Sequence, residues 1–457
     1  MSTSENSTIK KGLWNLIDRI EGDKVVWVIV FMLLMISWLA IFSSTPLLAL
    51  EMHTDRISIM KEQMGITVLG LTVLLLFFSI RSVKLLQFIS QLGFFGSVFL
   101  LLILLCRKDI GFIHVEVRNE AVRNLSVFGM QIHVFEIVKV AMVMYLSWAM
   151  HEVKQDAKGP KNEKGKHLGL AYYLIDRWNL TFLAKPFWKK ALYLYIPLLL
   201  VTVMVMIGSN SSGMIIGGVL LATLMIGGLE MKEVWLAIAC VATVGALAFT
   251  IHKFSGGTVF KRMATLESRI LANNDPAQLL DPELKKDKEA FEKRLGKLQQ
   301  PNAAKIAVHE GGLLGKGPGG STQKYVVPVM FGDYMFSFLL EEYGLWGGLI
   351  IILLYVSLLA RGSWIARLCD TDYAKTVVGG LSLLITGQAF LHMFINVGIG
   401  PLTGQTLPLV SHGNSSFLSF CVAFGVILSI SRMANKKIRQ EEAKAEPIYK
   451  TDEQENN

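Results

Sequence analysis

The hydrophobic positions of this chain form long runs that are almost free of charge and that alternate with short charged clusters. A helix needs roughly 20 apolar residues to cross a hydrocarbon core of about 30 Å. Ten runs approach that length, near residues 25–44, 65–80, 85–106, 126–150, 191–208, 214–229, 234–251, 334–360, 376–398 and 415–430. The pattern predicts an all-α polytopic membrane protein with about ten transmembrane helices.

The basic residues between the runs indicate the orientation, because cytoplasmic connections carry an excess of Lys and Arg. They are concentrated in residues 1–24, 81–84, 151–190, 361–367 and 432–439. With ten spans these five segments lie on one side, so both termini are predicted to be cytoplasmic. The net charge of +9 then reflects topology, and no nucleic-acid partner is expected.

The composition excludes two broad classes of protein. Hydrophobic residues make up 52% of the 457 residues and charged residues 18%, against about 25% charged in soluble domains. A soluble enzyme with one core is therefore excluded. All four cysteines lie in or beside apolar runs, which also excludes a secreted disulfide scaffold.

The segments outside the spans divide the chain into a cytoplasmic N-terminal segment, a membrane domain and a tail. These are residues 1–24, 25–433 and 434–457, and the polar tail is predicted to be disordered. Residues 151–190 form a cytoplasmic loop whose aromatic and basic end predicts an interfacial helix. Residues 252–333 form a long outer loop between spans 7 and 8, and charged residues 281–299 predict an exposed helix there, either a spacer or a docking surface.

Polar residues inside a span are expensive and therefore mark candidate sites. Glu136 and Lys139 lie three residues apart on one face of the fourth helix. They form either a structural ion pair or part of a polar cavity for a charged headgroup. Arg118 and Arg123 precede this span on the outer side, where they suit an anionic ligand.

A second candidate is the junction between the long loop and the eighth span. Six glycines lie within residues 311–320, close to Lys316 and Lys324. Glycines let backbone N–H groups approach a ligand closely, so the stretch is either a phosphate site or a flexible linker. Gly317 follows Lys316 where a Walker A loop would have Ser or Thr, so this is not a nucleotide P-loop.

Asp333 is the last acidic residue before the eighth span and is placed at the outer interface. Partial desolvation there makes a carboxylate a better proton acceptor near neutral pH. Glu341 and Glu342 follow inside the span, and we expect them either to pair with Lys139 or to line a water-filled crevice.

A third candidate is the irregular connection of residues 396–416, which contains two prolines, four glycines and several hydroxyl side chains. Irregular backbone at membrane depth is tolerated only where protein or a polar cavity covers it. We therefore predict a re-entrant segment that folds against the region of Asp333.

Together these stretches resemble the SEDS family of bacterial membrane glycosyltransferases, which includes FtsW, RodA and SpoVE. Four motifs carry the resemblance. Their matching positions are Asn119, Ala121, Arg123, Glu136 and Lys139; Gly315, Lys316, Gly317, Gly319, Ser321 and Gln323; Pro328, Asp333, Tyr334, Glu341, Glu342 and Gly344; and Pro401, Thr403, Gly404, Leu407, Pro408 and Ser411. The long outer loop and the pattern from Lys305 to Gly312 look more like the FtsW branch than the RodA branch.

The resemblance implies an inverting peptidoglycan glycosyltransferase that polymerises lipid II on the outer face of the bacterial cytoplasmic membrane. It implies a class B penicillin-binding transpeptidase and other divisome membrane proteins as partners, at the division septum. Asp333 takes the position of the family's required Asp, as the base for the acceptor hydroxyl. No cofactor is certain, and a divalent cation, Mg²⁺ or Mn²⁺, is one further candidate. The residues expected to bind substrate are Arg123, Glu136, Lys139, Lys316, Ser321, Gln323, Lys324, Glu341, Asn396, Thr403 and Ser411.

Four positions depart from the family pattern. Asn124 stands where the family has Trp, Asn210–Met214 replaces a Pro-Asp-x-Gly-Thr motif, His412–Asn414 replaces Tyr-Gly-Gly, and Phe331–Gly332 replaces His-Thr before Asp333. The last departure changes the polar neighbours of the predicted base. It leaves open a weakened or differently regulated enzyme, or a non-catalytic scaffold for the transpeptidase. A flippase for the lipid-linked precursor is a separate alternative.

Overall fold

The computed structural model describes residues 21–106, 113–118, 121–127, 130–157, 183, 185–254, 288–327, 330–399 and 404–455. The helices within these ranges are α1 Lys24–Ser44, α2 Pro46–Glu51, α3 Arg56–Ser79, α4 Val83–Cys106, α5 Val134–Ala157, α6 Pro186–Lys190, α7 Ile196–Gly208, α8 Asn210–Ile226, α9 Met231–Phe254, α10 Lys288–Gly311, α11 Met335–Leu368, α12 Asp372–Asn396 and α13 Asn414–Glu455. A π-helical turn, Ala191–Tyr195, joins α6 to α7.

Eight helical segments of the described ranges are long and apolar enough to cross a membrane: α1, α3, α4, α5, α6 continued by α7, α11, α12 and α13. The apolar part of α8 is shorter, and α9 occupies the seventh predicted span. Each of the ten predicted spans therefore contains a helix. The polytopic helical fold is confirmed.

The helices differ in how deeply they lie in the bundle. Within their apolar windows, 72% of α5, 72% of α12 and 83% of α13 is buried, against 22% of α3 and 28% of α4. A helix that is buried all round occupies the centre of a bundle. Polar side chains on α5, α12 and α13 are therefore largely enclosed by protein.

An antiparallel sheet precedes α5 and extends into residues 126–133, for which the sequence predicts helix. Its strands are β1 Ile113–Arg118, β2 Ala121–Val127 and β3 Met130–His133, in the order β1-β2-β3. This sheet is a local exception to the helical fold, and the fourth span begins at Val134 instead of residue 126. The reason is local: apolar and polar residues alternate from Ile113 to Val117, which is the period of a strand.

The predictions for the connecting segments have three outcomes. Helix α10 confirms a helix from Lys288 onward, while residues 281–287 lie outside the described residues. The predicted interfacial helix falls mostly outside them too, apart from α6. The tail differs from the prediction, because α13 continues to Glu455. Its many Ala, Glu, Lys and Gln residues have high helix propensity, which accounts for the difference.

Candidate functional site

The turn that carries Asp333 is held in place by the connection after α12. The amide of Asn396 donates to the carbonyl of Asp333 at 3.0 Å, and the hydroxyl of Ser411 donates to the carbonyl of Gly332 at 2.8 Å. The backbone N–H of His412 donates to the carbonyl of Phe331 at 3.0 Å. These three contacts confirm that the irregular connection folds against Asp333. They make Asn396 and Ser411 positioning residues.

Helix α12 also caps the start of α11, directly after Asp333. The first N–H groups of a helix have no partner within it. Here Phe336 N–H donates to His392 Nε2 at 3.3 Å, and Ser337 N–H donates to Asn396 Oδ1 at 2.9 Å. The other ring nitrogen of His392, Nδ1, lies 2.8 Å from the carbonyl of Gln405. A ring that accepts at Nε2 and donates at Nδ1 is neutral. These two hydrogen bonds hold the His392 side chain in one orientation between the start of α11 and Gln405.

Asp333 itself is half-buried at the N-terminal end of α11. The positive end of the helix dipole therefore favours its carboxylate. A half-buried carboxylate remains accessible to a substrate hydroxyl while being partly removed from water. This arrangement suits a general base, because such a group must be within hydrogen-bond reach of the proton it accepts.

Two of the departures from the family pattern meet in space beside Asp333. The rings of Phe331 and His412 lie edge to face, with centroids 5.5 Å apart and planes at 89°. The family has His and Tyr at these two positions, so an aromatic ring and an imidazole are kept with their places exchanged. Burial lowers the pKa of His412 despite the opposing charge of Glu62. A neutral imidazole therefore packs against the turn of the predicted base.

Glu136 and Lys139 form a buried ion pair in α5. Lys139 Nζ lies 2.7 Å from Glu136 Oε1 and 3.2 Å from Gln405 Oε1, and it also contacts Gln388 Oε1. The three donors of the ammonium group are thus all used. The structural reading of this pair is supported: it ties α5 to α12 and to the connection behind Asp333. Glu136 Oε2 accepts a further hydrogen bond from Ser416, at 3.4 Å.

Several buried polar atoms on β2 and in residues 412–414 lack a hydrogen-bond partner among the described residues. They include Asn124 Oδ1, His412 Nε2 and Asn414 Oδ1. Asn124 pairs across the sheet with His133, whose N–H donates to Ser415 at 2.8 Å, so β2 lies close to the start of α13. Buried polar groups are normally satisfied by protein, water or ligand. All three atoms belong to positions where the chain departs from the family, and together they give this region unused hydrogen-bonding capacity.

The Gly-rich stretch forms a turn that pairs with a break in α11. Gly344 has φ 66° and ψ −169°, which interrupts the helix. The carbonyls of Glu341 and Glu342 accept from the N–H groups of Lys316 and Gly317, each at 2.9 Å. In return, Leu345 N–H donates to Gly312 O at 3.0 Å and Trp346 N–H to Leu313 O at 3.4 Å. The turn of residues 312–317 thus replaces the helical bonds that the break removes, as backbone at membrane depth requires. We call this pairing the clamp.

The side chains around the clamp form a network of opposite charges. Lys316 bonds to Glu310, to Glu341 Oε1 at 2.8 Å and to Thr322 Oγ1 at 2.9 Å. Burial opposes the charge of Lys316, but the hydrogen bonds to Glu310 and Glu341 outweigh it and raise its pKa. Glu341 is fully buried and also accepts from Ser321 at 2.5 Å. Gln323 N–H lies 3.4 Å from the same carboxylate.

The prediction that Lys316 and Lys324 bind phosphate is not supported. Lys324 is 2% exposed, donates to Gly319 O at 2.7 Å and lies 3.5 Å from Glu342 Oε1. Around the clamp, two ammonium groups face the carboxylates of Glu310, Glu341 and Glu342, a balance that repels an anion. The expectation that Glu341 and Glu342 pair with Lys139 or line a water-filled crevice is wrong as well. The two carboxylates bind the clamp lysines and are fully buried.

Removing Lys324 should destabilise the fold, because it leaves the Glu342 carboxylate buried without its cation. We expect Lys324→Met to lower the unfolding free energy by about 3–5 kcal/mol, the usual effect of breaking a buried pair. The double variant Lys324→Met/Glu342→Gln should recover most of that loss. Thermal unfolding in detergent measures both variants. A double variant that is stable but has a strongly raised substrate KM would instead assign Lys324 to substrate binding.

For two predicted site residues the structure gives little or nothing: only the backbone of Arg123 is described, and Thr403 is not described. Arg123 is the extra residue of a β-bulge in β2, between the pairs of Val122 with Val117 and of Asn124 with Glu116. Thr403 lies outside the described residues. Within the described part of the chain, no group of three or more His, Cys, Asp and Glu side chains could hold a metal ion, so a divalent cation stays a prediction.

Asn396 was predicted as a site residue, but the two other polar residues on its face of α12, Gln388 and His392, were not. Gln388, His392 and Asn396 are buried and contact Lys139 or the start of α11. They recur at every fourth residue, so they share one face of the helix. Polar residues at that spacing in an otherwise apolar run would have been a sufficient signal for this part of the site.

Fold and site together define a polytopic membrane protein in which a half-buried carboxylate stands at one rim of the bundle, braced by buried polar side chains. The sequence matches the cell cycle protein family of FtsW, RodA and SpoVE over residues 23–436. The chain belongs to this family.

Individual relatives match a smaller part of the chain. The peptidoglycan glycosyltransferase MrdB of Escherichia coli K12 is 40% identical over 133 residues, which are 28% of this chain and 35% of the relative. The probable peptidoglycan glycosyltransferases FtsW of Hahella chejuensis and Bacillus subtilis are 37% and 33% identical over 139 and 143 residues, or 30% and 31% of this chain and 35% of each relative. The matches thus span about a third of the length of these curated relatives.

Solved structures share the fold over nearly the whole chain. A chain of a peptidoglycan synthase complex that coordinates polymerization and crosslinking aligns with a TM-score of 0.59 and 18% identity, over 90% of this chain and 98% of that chain. The rod shape determining protein RodA of Thermus thermophilus aligns with a TM-score of 0.53 and 15% identity, over 91% and 98% of the two chains.

Proposed function

We propose that this protein is a peptidoglycan glycosyltransferase that polymerises lipid II on the outer face of the cytoplasmic membrane. The observation that carries the proposal is Asp333, half-buried at the N-terminal end of α11 and held by Asn396, Ser411 and His412. A rigid turn that presents one accessible carboxylate at the rim of a helical bundle suits chemistry on a lipid-borne sugar.

In the proposed reaction, the carboxylate of Asp333 accepts the proton of the acceptor's 4-hydroxyl as that oxygen attacks the donor's anomeric carbon. The bond from the anomeric carbon to the diphosphate oxygen breaks, and the lipid diphosphate leaves with the electron pair. The displacement inverts the anomeric centre. Diphosphate is a good leaving group, so the reaction needs one carboxylate and not the pair that glycosidases use.

Cationic groups must stabilise the departing diphosphate. Carboxylates hold Lys316 and Lys324, and Lys139 is bound to Glu136. Among the basic residues expected to bind substrate, Arg123 is therefore the one that we retain for this task. Its position at the bulge of β2 supports this choice, because bulges re-aim side chains and are common beside active sites.

We further propose a class B transpeptidase as partner, and action at the division septum with other divisome proteins. A structural neighbour is a complex that couples polymerization to crosslinking, which supports a transpeptidase partner. Relatives named MrdB and FtsW match this chain at similar identity, so the identities do not favour either one. The proposal of a septal role therefore rests on the long outer loop.

The test is a polymerisation assay with the full-length chain in proteoliposomes that contain fluorescent lipid II. We expect a ladder of glycan strands that lysozyme degrades, formed faster when a class B transpeptidase is present. If lipid II crosses the bilayer without any polymer, the protein is a flippase. If neither occurs and the chain still binds the transpeptidase, it is a scaffold. Either result would overturn the proposal.

A further inference from the structure

A basic cavity lies at the end of the bundle that is remote from Asp333. It has a volume of about 290 Å³ and is lined by Glu21, Arg81, Arg432, Met433, Lys436 and Lys437. Helix α13 begins close to the turn of Asp333, and Arg432 lies 17 residues beyond Ser415 along it. At 1.5 Å per residue that is about 25 Å, close to the thickness of a hydrocarbon core. The cavity is therefore separate from the proposed active site.

The cavity carries a strong excess of positive charge. Four of its lining residues are basic and one, Glu21, is acidic. Lys437 also pairs with Asp370 outside the lining, and Glu21 is 3.5 Å from Arg432. With Lys437 assigned to its own partners, Arg81, Arg432 and Lys436 still face only Glu21 among the described lining residues, so the cavity attracts a further negative charge.

Arg432 is preorganised at the wall of this cavity. Its residue is 8% exposed, its Nη2 donates to the carbonyl of Ile80 at 3.1 Å, and its guanidinium lies 4.5 Å from the ring of Phe78. A guanidinium that is fixed in this way loses little side-chain freedom when it binds, and its planar fork of donors fits phosphate.

An apolar surface adjoins the cavity. Arg81 lies in the short connection between α3 and α4, and the residues that flank this connection include Leu75 and Leu76 at 51% and 61% exposure and Leu85 at 46%. These side chains belong to helices that are apolar enough to span a membrane. A ligand with a negative headgroup and acyl chains would place its charge among the basic residues and its chains along these leucines.

We propose that this cavity binds the phosphate of an anionic phospholipid headgroup. The basic side chains hold the phosphate, and the exposed faces of α3 and α4 contact the acyl chains. The apolar surface favours a lipid over free phosphate, which would gain nothing from it. The bound lipid would join the α3–α4 connection to α13.

Native mass spectrometry tests the proposal. The full-length protein is incubated in detergent with phosphatidylglycerol or phosphatidylcholine, and the lipid that stays bound after release from the detergent is measured. We expect selective retention of phosphatidylglycerol. Arg81→Gln and Lys436→Gln alter exposed residues and should each weaken binding about fivefold, with an additive effect in the double variant. The matched control is Lys61→Gln, which removes an exposed charge near the opposite end of α3 and should leave binding within about twofold of the wild type.

Two outcomes would overturn the proposal. Equal retention of the two lipids, or an equal loss in the control variant, would show that the cavity does not recognise the headgroup. A second arm adds inorganic phosphate at millimolar concentration. If it displaces phosphatidylglycerol as effectively as an equal concentration of short-chain phosphatidylglycerol does, the ligand is free phosphate and not a lipid. Polymerase activity does not enter either measurement.

Discussion

Replacing Asp333 with Asn should reduce polymerisation of lipid II about 10²–10⁴-fold, the usual contribution of a general base. The amide keeps the shape of the side chain but cannot accept the proton of the attacking hydroxyl. The turn should persist, because its hydrogen bonds to Asn396, Ser411 and His412 use backbone atoms of residues 331–333. Initial rates of glycan formation in proteoliposomes measure the effect.

The control for this variant is Asp55→Asn, which makes the same change at an exposed position before α3. We expect the control to polymerise at the wild-type rate and both variants to melt within a few degrees of the wild type. Asp333→Glu should retain part of the activity because it keeps a carboxylate. An Asp333→Asn protein that is folded and fully active would end the assignment of the base.

Replacing Gly315 with Ala should destabilise the protein clearly more than the same change at Gly319. Both glycines have φ of 78°, so the backbone strain of an L side chain, about 1–2 kcal/mol, is common to the two variants. A Cβ atom on Gly315 would lie 2.2 Å from the carbonyl oxygen of Glu342, whereas nothing lies within 4 Å of one on Gly319. The additional destabilisation of Gly315→Ala should be about 1–3 kcal/mol, as for overpacking elsewhere.

Unfolding of the two purified variants in the same detergent measures this difference directly. Since the strain is matched, the difference isolates the close contact between the Gly-rich turn and the break in α11. Equal stability of Gly315→Ala and Gly319→Ala would mean that the turn does not pack against α11 and that the flexible-linker alternative is correct.

Much of the fold could be predicted because a transmembrane helix is a local property of the chain. The length of each apolar run is sufficient, and each of the ten runs contains a helix. The approach of the 396–416 connection to Asp333 could also be predicted, because polar and irregular backbone needs protein cover. The signal was the run of prolines, glycines and hydroxyls, and Ser411 and His412 make the expected contacts.

The clamp could not be predicted, because its bonds join residues far apart in sequence. In the sequence, Glu341 and Glu342 are acidic residues within a predicted span that has no neighbouring basic residue. Folding brings Lys316 to Glu341 and Lys324 to Glu342. Glycines in a turn are equally consistent with a ligand cradle and with close backbone packing. The close approach of Gly315 and Gly344 to backbone atoms of neighbouring segments shows that these glycines serve packing.

The break at Gly344 has a mechanical consequence for the end of the molecule that carries Asp333. The part of α11 between Asp333 and the break is only about two and a half turns long. Two backbone hydrogen bonds tie its far end, at Glu341 and Glu342, to the turn that follows α10, and two more tie Leu345 and Trp346, just beyond the break, to the same turn. A force on the loop before α11 must therefore either rupture those four bonds or shift this short helical segment, and with it the position of the Asp333 carboxylate relative to the membrane surface.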